Sequence, residues 1–256
     1  MIQIIQYKKE DKMSHSWYNP DMTNIYDINI TQSNNKKVRD FYDKAMKELI
    51  DFYGVNWIEN TPVIYLVDSR ESFDIISGYK TEDWVVGRAL SYNKLLLLSP
   101  ERYEKESRHR YSDEEYYSLL KHELSHLFYI IFSKGKGPVW LDEGFAIYTS
   151  NQLSTKERPK EFKNFLKYYS YEDEKVYSES GFVVEWLINK FGKEKVIGFL
   201  KVLPNVNSKY EFKKEFEMYF GLELDYKSFQ ELWNFYNIFL EVKRKCLYQI
   251  LWLETT

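Results

Sequence analysis

Between Lys36 and Tyr53 the chain reads KKVRDFYDKAMKELIDFY, with apolar residues Val38, Phe41, Ala45, Leu49 and Phe52 three or four places apart. That spacing lines one side of a 3.6-residue turn and predicts an amphipathic helix. The pattern then changes. TPVIYLVD (61–68) is a β-branched and apolar run bounded by proline and aspartate, which predicts a strand. SRESFDIISG after it predicts a short helix closed by Gly78. DWVVGRALSYNKLLLLSP (83–100) predicts two strands or one long bent strand, with Gly87 easing the bend, YN turning the chain and Pro100 ending the run. From Asp113 the pattern is helical almost to the end. Strands come first and helices after, which is the order of an α+β protein and not of alternating βαβ units.

No internal repeat, low-complexity tract or Gly/Ser linker interrupts the 256 residues, so one continuous unit with a substantial core is expected. The division expected is an irregular segment over 1–34, a main domain over 35–240 and a C-terminal helix or tail over 241–256. Within the main domain, 35–133 would hold the sheet and a central helix, and 134–240 a helical subdomain. Residues 1–34 read equally as a first strand or as a prosegment lying across a cleft.

A formal net charge of −3 leaves no basic footprint, so nucleic acid is not an expected partner. The apolar start of MIQIIQYKKEDKM is too short for a signal peptide, and no later stretch approaches the ~18 apolar residues of a membrane span. A cytoplasmic protein is the expectation, with its oligomeric state left open. The single cysteine, Cys246, excludes an intrachain disulfide and a cysteine zinc cluster.

The chemistry-bearing stretch is LLKHELSHLFYIIF (119–132). Ser112 with Glu115 three places on is a capping-box pattern, and Asp113 and Glu114 suit the positive first turn, so a helix should run from there to about Phe132. Its apolar residues take up most of its circumference, which predicts a central position. Four residues advance a helix by about 400°, so His122 and His126 share a face and can meet one ion. Glu123 lies about 100° further round, within reach of a water beside that ion. A core helix with two incidental histidines is the plain alternative. With four histidines in the chain, that spelling arises by chance on the order of one time in a hundred. Two buried imidazoles without partners would also be costly. The pattern points to one zinc ion per chain.

A catalytic zinc takes a third protein ligand and leaves a position open. After the turn-forming KGKG (134–137), PVWLDEGFAIYTS (138–150) offers Asp142 and Glu143 on a helix that would pack back antiparallel. Tyr129 and Phe132 stand where HExxHxxGxxH needs glycine and histidine, which excludes that class.

HELSH, sixteen residues, and then the glutamate of WLDEGFA together resemble the gluzincins, and among them the aminopeptidase-related peptidase MA-like proteins. The resemblance covers roughly 36–240. It implies a thermolysin-like zincin fold: an N-terminal mixed β-sheet subdomain, the central HExxH helix and a helical C-terminal subdomain. It implies His122, His126 and Glu143 as zinc ligands, with Asp142 the alternative to Glu143, and Glu123 as general base and then acid. The strand carrying Gly87, Arg88 and Ala89 would be the edge along which a peptide or protein substrate lies. Residues 176–196 resemble the helix that brings a transition-state tyrosine, here Tyr177, with Tyr148 and Tyr171 as substitutes; 216–236 resemble the closing helices. Two departures stand out. GRALS lacks the glutamate that holds an amino terminus in the aminopeptidases, and Gly181 lies four places beyond Tyr177 where the family has three.

The function implied is hydrolysis of peptide bonds by a metal-activated water, as an endopeptidase or oligopeptidase in preference to an aminopeptidase. The alternative is a gluzincin-fold binding or regulatory module without turnover; the intact Glu123 favours hydrolysis, because a structural site needs no base. Arg88 could hold a substrate carboxylate but reads mainly as an exposed edge-strand residue, His109 could reach the oxyanion from a loop but reads mainly as part of a solvated basic cluster, and His15 has no evident partner.

Overall fold

Helix α1 (Lys36–Tyr53) starts where the Asn35 side chain accepts the Val38 N–H at 3.1 Å, and stops at Gly54 in the left-handed region. It belongs to a computed structural model that describes Tyr26 and residues 30–57, 60–170, 175–231 and 233–234. His15, Tyr171, Cys246, the tail over 241–256 and most of the segment over 1–34 lie outside the described residues.

Strand β1 (Val63–Val67) leads into α2 (Arg70–Ser77), capped by Ser69 and closed by Gly78 with φ 81°. The run over 83–100 resolves into two strands, β2 (Gly87–Ser91) and β3 (Lys94–Leu98), joined at Tyr92 and Asn93. The sheet order is β1-β3-β2, with β1 parallel to β3 and β2 antiparallel to it, so the small sheet is mixed. Its central strand explains the unbroken LLLL: Leu95 to Leu98 are all fully buried, and α2 packs on this strand as does the central helix below. Strand β2 has β3 on one side and no strand on the other among the described residues.

After the short α3 (Tyr103–Glu106), α4 (Asp113–Ser133) begins with Ser112 Oγ accepting the Glu115 N–H at 3.1 Å. It ends one residue past the expected Phe132, where Lys134 enters the left-handed region. Helices α5 (Val139–Thr149), α6 (Val176–Phe191), α7 (Lys193–Leu200) and α8 (Lys209–Phe220) follow, and the chain is helical again over 226–231. The helix expected over 176–196 is two helices, because Gly192 at φ 86° turns the chain between them. The architecture is α+β.

Three devices set the position of α5. A buried hydroxyl cluster, Tyr53 Oη to Ser125 Oγ to Thr149 Oγ1 at 2.9 Å each, ties α1, α4 and α5 together. Helices α5 and α6 press so closely that a β-carbon on Gly144 would lie 2.6 Å from the Ser180 carbonyl oxygen, and one on Gly181 2.4 Å from Ile147 Cγ2. Gly181 therefore serves helix packing one turn after Tyr177. Finally, the buried Glu179 carboxylate of α6 accepts the backbone N–H groups of Lys163, Asn164 and Phe165. That pinned loop then presents the carbonyls of Tyr168 and Tyr169 to the N–H groups of Trp140 and Val139, which α5 cannot satisfy internally. The aromatic-rich composition is spent on the same region, where Trp140, Phe165, Phe199, Phe212, Phe216 and Phe229 pack as one cluster.

Candidate metal centre

The buried middle of α4 carries His122 and His126 one turn apart, and α5 brings Glu143 up to them. His122 Nε2 and His126 Nε2 are 3.2 Å apart; Glu143 Oε2 is 3.4 Å from the first, and Glu143 Oε1 3.8 Å from the second. Ligand atoms of the three residues all lie within 4.8 Å of one another. Two ligands of a tetrahedral zinc, each about 2.0–2.1 Å from the ion, stand roughly 3.3 Å apart. The spacing fits one ion.

The outer nitrogens decide which atoms face inward. His126 Nδ1 is 2.7 Å from Asp142 Oδ1, and His122 Nδ1 is 3.1 Å from Gln152 Oε1. Both partners are acceptors, so each Nδ1 is assigned the proton and each Nε2 is left with a lone pair aimed at the same point. Two lone pairs at 3.2 Å repel unless a cation lies between them. Glu143 Oε2 adds to this as a buried oxygen with no hydrogen-bond partner. Two imidazoles and a carboxylate suit a borderline ion better than calcium or magnesium, which prefer all-oxygen sites.

Titration follows the same logic. Burial, with the neighbouring His126, pushes the His122 imidazole down to about 4. Burial opposes charge on His126 too, but the carboxylates of Asp142 and Glu143 outweigh it and hold this imidazole well above its ordinary value. Burial raises Glu143 to about 7, with His126 pulling the other way. The cluster thus retains a proton in the place a metal cation would take.

Adjacent residues on a helix point about 100° apart, so Asp142 and Glu143 cannot both face the same ion. Glu143 turns inward and Asp142 goes to the far nitrogen of His126, so of the two carboxylates Glu143 is the one grouped with both Nε2 atoms. Gln152 was not foreseen. It sits past the end of α5, after Asn151 at φ 63°, and no periodicity connects it with His122.

Glu123 is buried beside the two histidines, against β2. A β-carbon on Gly87 would come within 2.9 Å of Glu123 Cγ and 2.7 Å of Leu97 Cδ2. Gly87, Glu123 and the residues around the two histidines line one open cleft of about 3470 Å³, well beyond the roughly 300–1,000 Å³ of small-molecule pockets. Tyr177, in the first turn of α6, meets Trp84 edge-on at 5.9 Å and lines the cleft, as does the half-buried Tyr148. Arg88 is not a loose surface residue: it is half-buried, lies over the Tyr79 ring at 5.0 Å and reaches the Ser77 carbonyl at 3.5 Å. His109 keeps a side chain 34% exposed and bridges Glu115 and the Trp84 carbonyl, at 2.9 Å each.

The chain matches no protein-family model, no curated protein and no solved structure. Among the described residues, no helix is long and apolar enough to cross a membrane.

Proposed function

We propose that this chain is a zinc-dependent peptide hydrolase of the gluzincin type, with the thermolysin-like arrangement of mixed sheet, central helix and helical subdomain. One observation carries the reading: two histidine Nε2 atoms and an orphaned carboxylate oxygen converge on one point in an open cleft, with Glu123 buried next to them. His122, His126 and Glu143 would hold the ion. A zinc ion bound there supplies Lewis acidity, polarising a peptide carbonyl and lowering the pKa of water to about 7.

Glu123 takes the proton of the attacking water and returns it to the leaving amine. Strand β2 presents its outer edge, at Gly87, Arg88 and Ala89, to an extended peptide, whose backbone can pair with it. Tyr177 donates a hydrogen bond to the oxygen that gains charge, a task for which Tyr148 is the other candidate in the cleft. Asp142 and Gln152 keep both imidazoles turned inward. No carboxylate on β2 is available to hold an amino terminus, and the cleft is large and open, which supports internal cleavage over trimming.

The test has two stages. Zinc is measured per chain in protein purified without chelator, alongside Glu143→Gln; about one ion in the parent and little in the variant is expected. A peptide library is then offered to the parent and to Glu123→Gln, which should keep zinc and lose about 10²–10⁴-fold in cleavage rate. A parent that stays metal-free after reconstitution overturns the proposal. Zinc without cleavage leaves a gluzincin-fold binding module.

A further inference from the structure

Most cations along the cleft are committed to carboxylates. Lys44 and Lys121 reach Glu48, Arg108 reaches Asp83, Arg158 reaches Glu185 and Lys193 reaches Glu194. Lys80, Arg88 and Lys156 have no carboxylate ion pair among the described residues, and of these Lys156 closes the turn that begins at Gln152, the residue bonded to His122. Lys156 is half-buried in the cleft wall, its ammonium has no hydrogen-bond or ion-pair partner among the described residues, and the carboxylate acting on it is Glu143. With a metal ion bound, Glu143 would be committed to that ion and not to Lys156.

The backbone around Lys156 is tied down on both sides. Its N–H closes the turn after Gln152–Thr155 by donating to the Leu153 carbonyl at 3.2 Å. Leu153 rests against Gly181 of α6, and Gln152 is the residue that holds His122. Two places beyond, Arg158 lies over the rings of Phe182 and Trp233 at 4.9 and 5.0 Å and donates a hydrogen bond to Glu185 Oε1 at 3.2 Å. The lysine stem therefore rises into the cleft from the same turn that holds His122 through Gln152. A partly desolvated ammonium without a counter-ion is unfavourable, and a ligand carboxylate would relieve it.

We infer that Lys156 is a specificity residue that receives a carboxylate of the substrate next to the metal centre, so that the cleft selects peptides bearing a negative charge at that position. The carboxylate has two sources, a free C-terminus or an acidic side chain, and lysine as a point charge with three donors accepts either. The inference rests on the peptide-hydrolase reading, but its test does not need turnover.

Three labelled peptides of one neutral sequence serve as probes: a C-terminal amide, the free acid, and the amide with one residue replaced by glutamate. Binding to zinc-loaded Glu123→Gln protein is followed by fluorescence anisotropy, with Lys156 intact, replaced by methionine, or replaced by arginine. At least one charged peptide should bind about tenfold or more tighter than the neutral amide. Lys156→Met should abolish that preference at unchanged zinc affinity, and Lys156→Arg should restore part of it. Which charged peptide gains tells the free C-terminus from the acidic side chain.

Equal binding of the three peptides, or a preference that survives Lys156→Met, overturns the inference. So does Lys156→Met protein that loses zinc affinity and keeps its preference, since the lysine would then serve only to balance Glu143. Wild-type protein that cleaves no peptide while the preference still follows Lys156 would sink the hydrolase reading and leave the carboxylate site standing. Cleavage of peptides with no charge preference would do the reverse.

Discussion

The backbone of Gly87 and the side chain of Glu123 are so close that a single added methyl would stand 2.9 Å from the Glu123 Cγ. The edge strand and the proposed base are thus one mechanical unit, and glycine is the residue that permits it. Gly87→Ala should leave the zinc content unchanged and lower kcat/KM for peptides by at least about tenfold, because a displaced base is a poor one. It should also cost about 1–3 kcal/mol of stability through overpacking against Leu97 and Glu123. Metal analysis, steady-state kinetics and urea unfolding on one preparation would check this; unchanged kinetics would mean that Glu123 tolerates the shift.

Asp142 meets the proposed metal site through His126, whose Nδ1 lies 2.7 Å from its Oδ1. Asp142→Asn keeps the size of the side chain but weakens its hold on Nδ1–H, and zinc affinity should fall by about 10–100-fold. Glu143→Gln, which removes a donor, should lose more. Competition against a chelator of known affinity measures both. An Asp142→Asn loss larger than that of Glu143→Gln would mean that Asp142 is the ligand.

In the metal-free protein, Glu143 is raised to about 7 and His126 is held well above 6.5, so both bind protons more tightly when folded than when unfolded. That contribution is complete at low pH and is lost as pH rises through the folded values. His122, lowered to about 4, works in the opposite sense between there and 6.5, where its share of stability is recovered as pH rises. Above 6.5 only the loss remains. Metal-free protein should therefore melt at a lower temperature at about pH 8 than near pH 6.5, and zinc should bind more tightly as pH rises because it displaces the retained proton. Calorimetric titrations of zinc near neutrality, in buffers of different ionisation enthalpy, should show about one proton released. No release would mean that the cluster holds no proton to displace.

Glu179 lies outside the cluster yet governs how α5 is presented. Glu179→Gln leaves one acceptor oxygen for backbone N–H groups that now share a carboxylate, and should cost about 2–4 kcal/mol of stability. Zinc affinity should weaken as well, since the pinned loop caps the start of the helix that carries Glu143. Denaturant unfolding with zinc titration tests both effects; a loss below about 1 kcal/mol would show that the loop holds its shape without the carboxylate.

Much of this protein was decided within short stretches of chain. The Ser112 cap, the apolar spacing of α1, the strand at Val63–Val67 and the shared face of His122 and His126 depend on hydrogen bonds and periodicity spanning a few residues, and all are legible in the sequence. The burial of Glu123 against Gly87, the inward turn of Glu143 with Asp142 left for His126, Gln152 behind His122, and Lys156 in the cleft wall were not legible there. Each depends on how closely α4, α5, α6 and β2 dock. Those distances are set by two glycines where α5 meets α6, one at the start of β2 and a buried hydroxyl cluster, and none of them leaves a periodic trace. Local pattern determined which residues were offered to the site, and tertiary packing decided which atoms face each other.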